Sequence, residues 1–454
     1  MSKYLYGASI QGIQEFIFKT NKLAQIIGAS QILKSIHDDF EQSYGVNNLE
    51  IYLNAAGNIR VVLSDKNELE KIVKEFPKKV MQKAYGISIS QAVIKINSDS
   101  LTKDELKLLD DELKASRNKA TIPLDIRLSI MDFVRNTARA PVLNEKKIEG
   151  TEKIDKGSLQ KYEKSDKNEI SAIKNQKNKI AVIHADGNNI GDLIPTLKNI
   201  PDFSKNLNKA TKEAFTTATK AIKNGKFMEI ILGGDDMTII CDADFALDFT
   251  KIYLTKFEEL TTKFTKHHLT ACAGIAFCNE KFPFHYAVNL AESLCSIAKN
   301  HTKNLNPNKP SSCLMFHNVQ SSNFQTWDKF VQDELSVKSQ DISFDFGPYY
   351  LNEPNQPSIE NLIEICRAYA DESSPISSLR EWIRVLDNVS YAEFMLDRIN
   401  EMLDRSWADK EFISKLFANL SNKNLITRKD GKNKTPIYDI LQIHALTQNI
   451  KERL

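Results

Sequence analysis

The most constraining feature of this sequence is an order of structural elements that occurs twice. In the first stretch, the strand-like segment KYLYGAS is followed by an amphipathic helical region through Ile36, a β-hairpin over 51–63, a helix and the alternating strand ISISQAVIKI. In the second, the apolar strand 179–186 precedes a helix, the hairpin 228–241, another helix and the strand LTACAGIAF. Each stretch predicts the β-α-β-β-α-β order of a ferredoxin-like domain.

The spacing within the two stretches also agrees. When YGASIQGI is aligned with IHADGNNI, Ser9 stands opposite Asp186. Ala55 follows Ser9 by 46 positions, and Gly233 follows Asp186 by 47 positions. A shared element order with matched spacing indicates an internal duplication.

The whole sequence predicts an α+β fold with two ferredoxin-like domains and a C-terminal helical domain. We predict a first domain with a helical insertion at 1–143, an exposed charged linker at 144–178, a second domain at 179–352 and a helical domain at 353–454. The last segment has apolar residues at helical spacing and no strand patterns. The length of 454 residues agrees with about three structural units.

Composition excludes several classes of protein. With 61 basic and 59 acidic residues, the net charge of +2 gives no global excess of the kind that nucleic-acid or membrane partners attract. There is no run of about 18 apolar residues and no pattern of a signal peptide, which predicts a cytoplasmic protein without a membrane partner. The six cysteines are scattered without a CxxC pair, which predicts buried reduced thiols.

The segment Gly233-Gly234-Asp235-Asp236, between two apolar β runs, is the strongest local signal for chemistry. Taken alone, such a segment is more often a plain turn. Asp186, however, ends a strand that lies beside this hairpin in a ferredoxin-like sheet, so we expect all three carboxylates at one sheet edge. Clustered carboxylates repel one another unless a cation compensates them. Asp186, Asp235 and Asp236 are therefore the predicted catalytic residues and ligands of two Mg²⁺ or Mn²⁺ ions, about 3.5–4 Å apart.

Three further features fit a triphosphate. The small polar segment 187–191 offers backbone N–H groups at the start of a helix, although an Asx-type turn is the plain alternative. The hairpin glycines allow a bulky ligand to approach the backbone. A lysine near a helix end, such as Lys299, usually just complements the helix dipole. This helix, however, follows the strand that is expected to flank the carboxylate strand, which favours a phosphate contact. The predicted ligand-binding residues are Gly187, Asn188, Asn189, Gly191, Gly233, Gly234 and Lys299.

The motifs IAVIHADGNNIG, LGGDD and AESLCSIAKN, in this order, resemble the palm domain shared by GGDEF-type cyclases and the large polymerase-like subunit of type III CRISPR effector complexes. The Gly-Gly-Asp-Asp form favours the CRISPR branch. GASIQGIQEFIFKTNKLAQIIGASQIL resembles the opening of that subunit's first palm, FGPYYL the end of its second palm, and PISSLREWIRVLD part of its helical domain. The resemblance covers nearly the whole chain and is most specific at 179–300.

The sequence departs from the family pattern at several points. The first palm starts at residue 4, so the resemblance implies the form without an HD nuclease domain, and the dipeptide His37-Asp38 is predicted to be an ordinary solvated helix pair. VRNTARAPVLNEKK lacks the cysteines of a zinc finger between the palms. In the first palm, Ser9 and the hairpin residues 55–58 replace the acids, so we expect it to hold an acceptor nucleotide without metal. His184, His267 and His268 are expected to be structural or surface residues.

By resemblance, the protein is a metal-dependent nucleotidyltransferase that converts ATP to cyclic oligoadenylate messengers in antiviral defence when its complex binds target RNA. The implied cofactor is Mg²⁺ or Mn²⁺, and the implied partners are other type III effector subunits, guide RNA and target RNA. Two alternatives stay open. One is a stand-alone enzyme, and then a homodimer, that makes cyclic dinucleotides or adenylylates S-adenosylmethionine. The other is a non-catalytic RNA-binding scaffold, against which the intact acids of the second palm argue.

Overall fold

The computed structural model describes residues 3–20, 22–45, 49–55, 57–96, 101–118, 130, 132–134, 137–142, 153–165, 173–193, 196–197, 199–265, 269–320, 327–371, 373–406 and 413–446. The chain forms two compact units. The first unit comprises Met1–Ser171 and Gly191–Asn208, and the second comprises Ala172–Ile190 and Lys209–Leu454. None of the helices in the described ranges is both long and apolar enough to cross a membrane.

The first unit contains a four-stranded antiparallel sheet. Its strands are β1 (Lys3–Gln11), β2 (Glu50–Ala55), β3 (Asn58–Leu63) and β4 (Ser88–Ile96). Their order across the sheet is β2-β3-β1-β4, which is the order of a ferredoxin-like domain. The accompanying helices are Ile13–Phe18, Leu23–Tyr44, Lys66–Lys83 and Lys103–Arg117. The fold predicted for the first stretch is therefore confirmed.

Local sequence signals explain the helix that follows β4. Thr102 and Glu105 form a capping box, in which each side chain accepts a hydrogen bond from the other residue's backbone N–H, so the helix Lys103–Arg117 begins there. Its apolar face packs on the sheet, where Leu109 and Leu5 are fully buried in one cluster. The amphipathic spacing of this segment thus covers one face of the sheet.

The dipeptide His37-Asp38 lies in the helix Leu23–Tyr44. The N–H of Gly57 donates to His37 Nε2 at 3.1 Å, and His37 Nδ1 lies 2.6 Å from Asn54 Oδ1. Because Nε2 accepts, Nδ1 carries the proton, and the ring connects the helix to the β2–β3 hairpin. Asp38 is exposed, as predicted. The prediction of a merely solvated residue is wrong for His37, which is partly buried and joins two elements.

Part of the predicted linker is folded. Two short strands, β5 (Pro141–Val142) and β6 (Ile154–Asp155), pair antiparallel. The helix Lys156–Lys164 follows directly and packs against the helix Leu23–Tyr44. The prediction of an exposed linker is wrong for residues 153–165, because Tyr162 and the apolar side chains around it bury one helix face despite the charged composition.

The second unit contains two sheets. Its strands are β7 (Lys179–Gly187), β8 (Phe227–Gly233), β9 (Asp236–Asp242), β10 (Ala271–Asn279), β11 (Cys313–Asn318), β12 (Ser336–Val337), β13 (Ile342–Ser343), β14 (Tyr349–Tyr350), β15 (Thr427–Lys429) and β16 (Lys432–Lys434). The larger sheet has the order β14-β11-β10-β7-β9-β8, so its inner part repeats the ferredoxin-like order of the first unit. The helices Ala246–Thr261 and Phe284–Leu305 pack on β7 and β10. The fold predicted for the second stretch is confirmed.

The two hairpins share a backbone irregularity that supports the duplication. In the first unit, the β2–β3 pairing shifts register between Ile51 and Leu53. In the second, the β8–β9 pairing shifts between Glu229 and Ile231. Both bulges lie at the same distance from a two-residue connection, which follows Ala55 in one hairpin and Gly233 in the other. Bulges are specific local features, so their equivalent placement is evidence beyond strand order.

The C-terminal region is mainly helical, as predicted, but it also contains strands. Its helices are Ile359–Tyr369, Ile376–Arg384, Val389–Ser406 and Ile437–Leu446. β15 and β16 join β12 and β13 in a four-stranded sheet with the order β12-β13-β16-β15. The prediction of a region without strands is wrong there, because these three-residue strands are too short to show a period. The predicted helix EFISKLFANL is wrong as well, since only Ile413–Lys415 forms a 3₁₀ turn in its described part.

Candidate active site

The three predicted acids lie at one edge of the larger sheet. The pairing of β7 with β9 reaches Ala185 and Met237, so Asp186 and Asp236 occupy the next positions along these two strands. Asp235 is the second residue of the two-residue connection between β8 and β9. The strand pairing therefore brings together the residues that the sequence placed in one cluster.

The surroundings of Asp235 and Asp236 disfavour the ionised forms of both carboxyl groups. Asp235 is hydrogen-bonded to Asp186, and desolvation followed by the negative charge of Asp186 raises the pKa of Asp235. Desolvation, and then the charges of Asp186 and Asp235, raise the pKa of Asp236 to about 7. Because the side chain of Asp236 is exposed to solvent, we give more weight to the repulsion between carboxylates than to desolvation. The edge carries a concentrated negative charge that a cation would stabilise.

Lys299 supplies positive charge at this edge. Its Nζ donates to Asp186 Oδ2 in a partly buried ion pair. Burial by itself would lower the pKa of Lys299, but the hydrogen bond and the charge of Asp186 outweigh it and raise that pKa. The lysine is therefore protonated at neutral pH and neutralises part of the acidic charge.

A close approach of backbone to backbone positions Lys299. A Cβ atom added to Gly274 on β10 would come within 1.9 Å of the carbonyl oxygen of Ala291 in the helix Phe284–Leu305. Only glycine permits this packing. Gly274 pairs with His184, two residues before Asp186 on β7. The contact that seats the helix on the sheet therefore also brings its C-terminal half close to the acids.

Glu292 belongs to the acidic edge and was not predicted. Its charge contributes to the raised pKa of Asp236, and burial raises the pKa of Glu292 itself. Glu292 precedes Lys299 by seven residues, which places both side chains on one face of the helix. This spacing is the sequence signal that would have identified Glu292.

The hairpin glycines and two residues beneath them shape the turn. Gly233 pairs with Asp236, and Gly234 has a left-handed φ of +64° with no atom within 4 Å of an added Cβ. Thr211 donates its hydroxyl to the carbonyl of Gly234 at 2.6 Å. Tyr253 is fully buried close by, and burial followed by the charges of the neighbouring acids raises the pKa of its phenol. No local sequence signal identifies Thr211 or Tyr253, because both contacts are long-range.

Gly187 lies against the hairpin. A Cβ atom added there would stand 3.0 Å from the Cβ of Asp235 and 2.3 Å from the side chain of Ile190. A larger residue would force the acidic turn away from β7. The small residue type predicted for ligand access therefore also serves the packing of the site.

The rest of the 187–191 segment is held mainly by protein contacts. The N–H of Asn188 donates to the carbonyl of Thr270 at 2.8 Å, and its side-chain amide donates to the Thr270 hydroxyl at 3.0 Å. The prediction that this N–H faces a phosphate is therefore wrong for Asn188, whose side chain is buried. Asn189 has a left-handed φ of +55° and donates to the carbonyl of Pro307 at 3.0 Å. Gly191 is exposed. It belongs to the first unit, whereas residues 187–190 belong to the second.

The other sequence candidates have structural roles. His184 Nδ1 lies 3.0 Å from the Thr238 hydroxyl, its partner across β7 and β9, and burial lowers the pKa of His184. His267 and His268 lie outside the described residues. All six cysteines are buried and free, as predicted.

The acids fit a metal ion by their chemistry, although they do not form a ready-made centre. Within the described ranges, no group of three or more His, Cys, Asp or Glu side chains is arranged to hold a metal ion. Instead Lys299 pairs with Asp186. The donors are nevertheless hard oxygen ligands. Desolvation and then the charge of Asp186 raise the pKa of Asp235, and Mg²⁺ or Mn²⁺ relieves repulsion of this kind.

At the corresponding edge of the first sheet, uncharged polar residues stand at the two paired positions. Ser9 on β1 pairs with Asn58 on β3, and the Ser9 hydroxyl donates to Asn58 Oδ1 at 2.9 Å. Arg117 Nη2 donates to the same hydroxyl at 3.5 Å. Ser9 and Asn58 occupy the positions that Asp186 and Asp236 have in the second sheet. Two carboxylates are therefore replaced there by two side chains that form a hydrogen bond with each other.

Comparison with known proteins agrees with this geometry. Residues 179–306 match the family model described as Cas10/Cmr2, second palm domain. The crystal structure of Csm1 in T. onnurineus is 13% identical, with a TM-score of 0.54 over 98% of this chain and 70% of that chain. Crystal structures of a Csm1–Csm4 cassette with AMPPNP or pppApApA have TM-scores of 0.54 and 0.56 and identities of 13% and 12%. They cover 97% and 98% of this chain and 69% of each of theirs.

No curated protein matches the sequence. At identities of 12–13%, the solved structures establish the fold alone. The family match is more specific, because its range includes all three acids and Lys299. Residues 179–306 are therefore similar to that palm domain in sequence.

Proposed function

We propose that this chain, a Cas10-like palm-domain protein, is a nucleotidyltransferase that joins ATP molecules 3′ to 5′ into cyclic oligoadenylates in type III CRISPR antiviral defence. The observation that carries the proposal is the acidic edge with its paired Lys299, which lies within the segment that matches the Cas10/Cmr2 palm. The similar Csm1–Csm4 cassettes were crystallised with ATP, pppApApA, cA3 and cA4, which supports adenine nucleotides as the ligand class.

In this proposal the residues of the chain position the triphosphate and balance its charge. Asp186, Asp235 and Asp236 would hold two Mg²⁺ or Mn²⁺ ions, which would supply charge neutralisation. In the transfer, the 3′-hydroxyl of one ATP loses its proton and bonds to the α-phosphate of another, whose bond to pyrophosphate breaks. Lys299, protonated beside Asp186, contributes a donor for a phosphate oxygen. Gly234 leaves the hairpin backbone open to the ligand. Positioning and charge stabilisation are the main sources of acceleration in this class of transfer.

We further propose that the protein works in an effector complex with other type III subunits and guide RNA, and that target RNA activates it. The likeness to Csm1–Csm4 cassettes supports a partner subunit. Isolated chain would then show low turnover that rises when the partners and target RNA are added.

The experiment is incubation with ATP and Mn²⁺, with and without partner subunits, guide RNA and target RNA, and identification of the products by mass spectrometry. We expect cyclic oligoadenylates from the wild type and none from Asp235→Asn. The matched control is Asp328→Asn, which removes an exposed acid from the same unit. If cyclic dinucleotides or an adenylylated acceptor were found instead, the proposed product would be wrong. Equal turnover in the Asp235→Asn and Asp328→Asn variants would contradict the assigned site.

A further inference from the structure

A cavity in the first unit has an excess of basic side chains. Its volume is about 760 Å³, within the range of roughly 300–1,000 Å³ that is usual for small-molecule sites. Its five basic lining residues are Lys19, Lys22, Arg139, Lys153 and Lys161. Only two acidic residues line it, Glu15 and Asp155. The chain as a whole is nearly neutral, so this concentration of positive charge is local.

Both acidic residues are engaged by neighbouring groups. Asp155 is buried and accepts hydrogen bonds from the N–H groups of Gly157 and Ser158 and from the hydroxyl of Thr137. Glu15 pairs with Lys19 at 3.3 Å. Asp155 therefore serves the turn before the helix Lys156–Lys164. Lys153 is paired with Asp132 outside the cavity lining, so the positive charge of the cavity is centred on Arg139 and Lys161.

Arg139 is held in place at the cavity wall. Its guanidinium lies 5.4 Å from the ring centroid of Tyr85, within cation–π range. A Cβ atom added to Gly86 would approach the guanidinium nitrogens to 2.8 Å, and one added to Gly157 would approach to 3.4 Å. The two glycines leave the space that the guanidinium occupies, so its orientation is set before any ligand binds.

Lys161 is the buried cation of the cavity. Its Nζ donates to the carbonyl of Phe16 and lies 4.1 Å from the centroid of that ring. Burial, together with the charges of Arg139 and Lys19 and against that of Asp155, lowers the pKa of Lys161 to about 8. A buried ammonium among other cations is costly, and an anion in the cavity would stabilise it.

We propose that this cavity binds a small phosphate-bearing ligand, with Arg139 and Lys161 as its principal contacts. An oriented guanidinium is suited to two-pronged recognition of phosphate, and a lysine adds a point charge. The limited volume of about 760 Å³ favours a discrete molecule over a continuous RNA strand. All lining residues belong to the first unit, so the proposal does not depend on the catalytic assignment of the second.

The experiment measures binding of radiolabelled pyrophosphate to the full chain by equilibrium dialysis in EDTA, which removes divalent ions from the acidic edge. We expect saturable binding that Arg139→Gln weakens at least about tenfold, the scale of one charge-assisted contact. Lys83→Gln is the matched control, because Lys83 pairs with Asp39 elsewhere in the first unit. It removes the same charge and is expected to change the affinity less than twofold.

Parallel measurements with ATP and with an RNA octamer identify the source of the phosphate. Tighter binding of ATP than of pyrophosphate assigns the site to nucleotides, and equal binding assigns it to inorganic phosphates. The proposal is overturned if Arg139→Gln and Lys83→Gln weaken binding equally, if neither small ligand binds, or if only the octamer binds in an Arg139-dependent way. Arg139→Lys, which keeps the charge, guards against misfolding and is expected to retain intermediate affinity.

Discussion

The two ferredoxin-like sheets have the same framework and different electrostatics at one edge. Both have the same strand order and a bulged hairpin with a two-residue connection. At the equivalent edge, the first sheet has the hydrogen-bonded pair Ser9 and Asn58. The second has repelling carboxylates, and Lys299 offsets only part of their charge.

This difference separates what the fold requires from what it tolerates. The Ser9–Asn58 pair shows that these two positions can be filled without carboxylates, so the fold itself does not require the acids of the second sheet. Groups with raised pKa values at one edge instead mark a site that a ligand completes. A matched change in each sheet therefore distinguishes function from architecture.

The largest expected effect comes from neutralising each edge in turn. Asp186→Asn with Asp235→Asn should reduce product formation at least about 100-fold, because the proposed metal ligands are removed. Ser9→Ala with Asn58→Ala removes both partners of a hydrogen bond and should lower the free energy of unfolding by no more than about 1 kcal/mol. Product assays and thermal melts of both double variants test this. Comparable loss of turnover from the two pairs would show that the first edge is also catalytic.

The next effect concerns a glycine of each sheet. Gly274→Ala should destabilise the second unit by about 2–3 kcal/mol, because the new Cβ meets the backbone carbonyl of Ala291. Gly7→Ala should cost less, about 1–2 kcal/mol, since the nearest atoms, at 2.8–3.1 Å, all belong to the Leu109 side chain, which can shift more easily than a backbone carbonyl. Urea unfolding followed by circular dichroism measures both. Equal losses would mean that the helix Phe284–Leu305 can shift on its sheet.

A smaller effect is expected from the basic residue at each edge. Lys299→Met should weaken binding of a non-hydrolysable ATP analogue about tenfold, because a charged donor to the phosphates is lost. Arg117→Met removes a cation that contacts the uncharged Ser9 hydroxyl at the edge of the first sheet, and should change the affinity less than twofold. Calorimetric titration in Mg²⁺ compares them. Unchanged affinity in Lys299→Met would assign the lysine to fold stability alone.

The smallest effect is a change in pH dependence. The pKa of Asp236 is raised from 3.8 to about 7 in the folded protein, so the folded state keeps a proton that the unfolded chain loses. The stabilisation that comes from this retained proton is fully present below about pH 4. It decreases as the pH rises from about 4 to about 7 and does not change further above that. Asp236→Asn should flatten that decline, whereas the exposed Asp328→Asn should not. The buried Asp439, with a pKa of about 7, leaves a residual slope in every variant.

Much of the framework and the position of the acids followed from the sequence. Alternating apolar residues gave the strands, and strand neighbours placed Asp186 beside the hairpin. Contacts between distant residues had no local signal, as Thr211 beneath the turn and the ring of His37 at the β2–β3 hairpin show. The folded part of the predicted linker was missed because its charged composition hides a short apolar face around Tyr162. Very short strands such as β15 and β16 have too few residues to show an alternation of apolar and polar side chains.

The matching bulges of the two hairpins have a consequence for how the copies diverged. A bulge sets which side chains point to each face between itself and the turn, so one inserted or deleted residue there would reverse them. Both copies keep the same distance from bulge to connection. Since the duplication, this part of the gene has therefore changed by replacement of residues and not of length. The two copies therefore differ in the side chains at the edge and not in the scaffold that displays them.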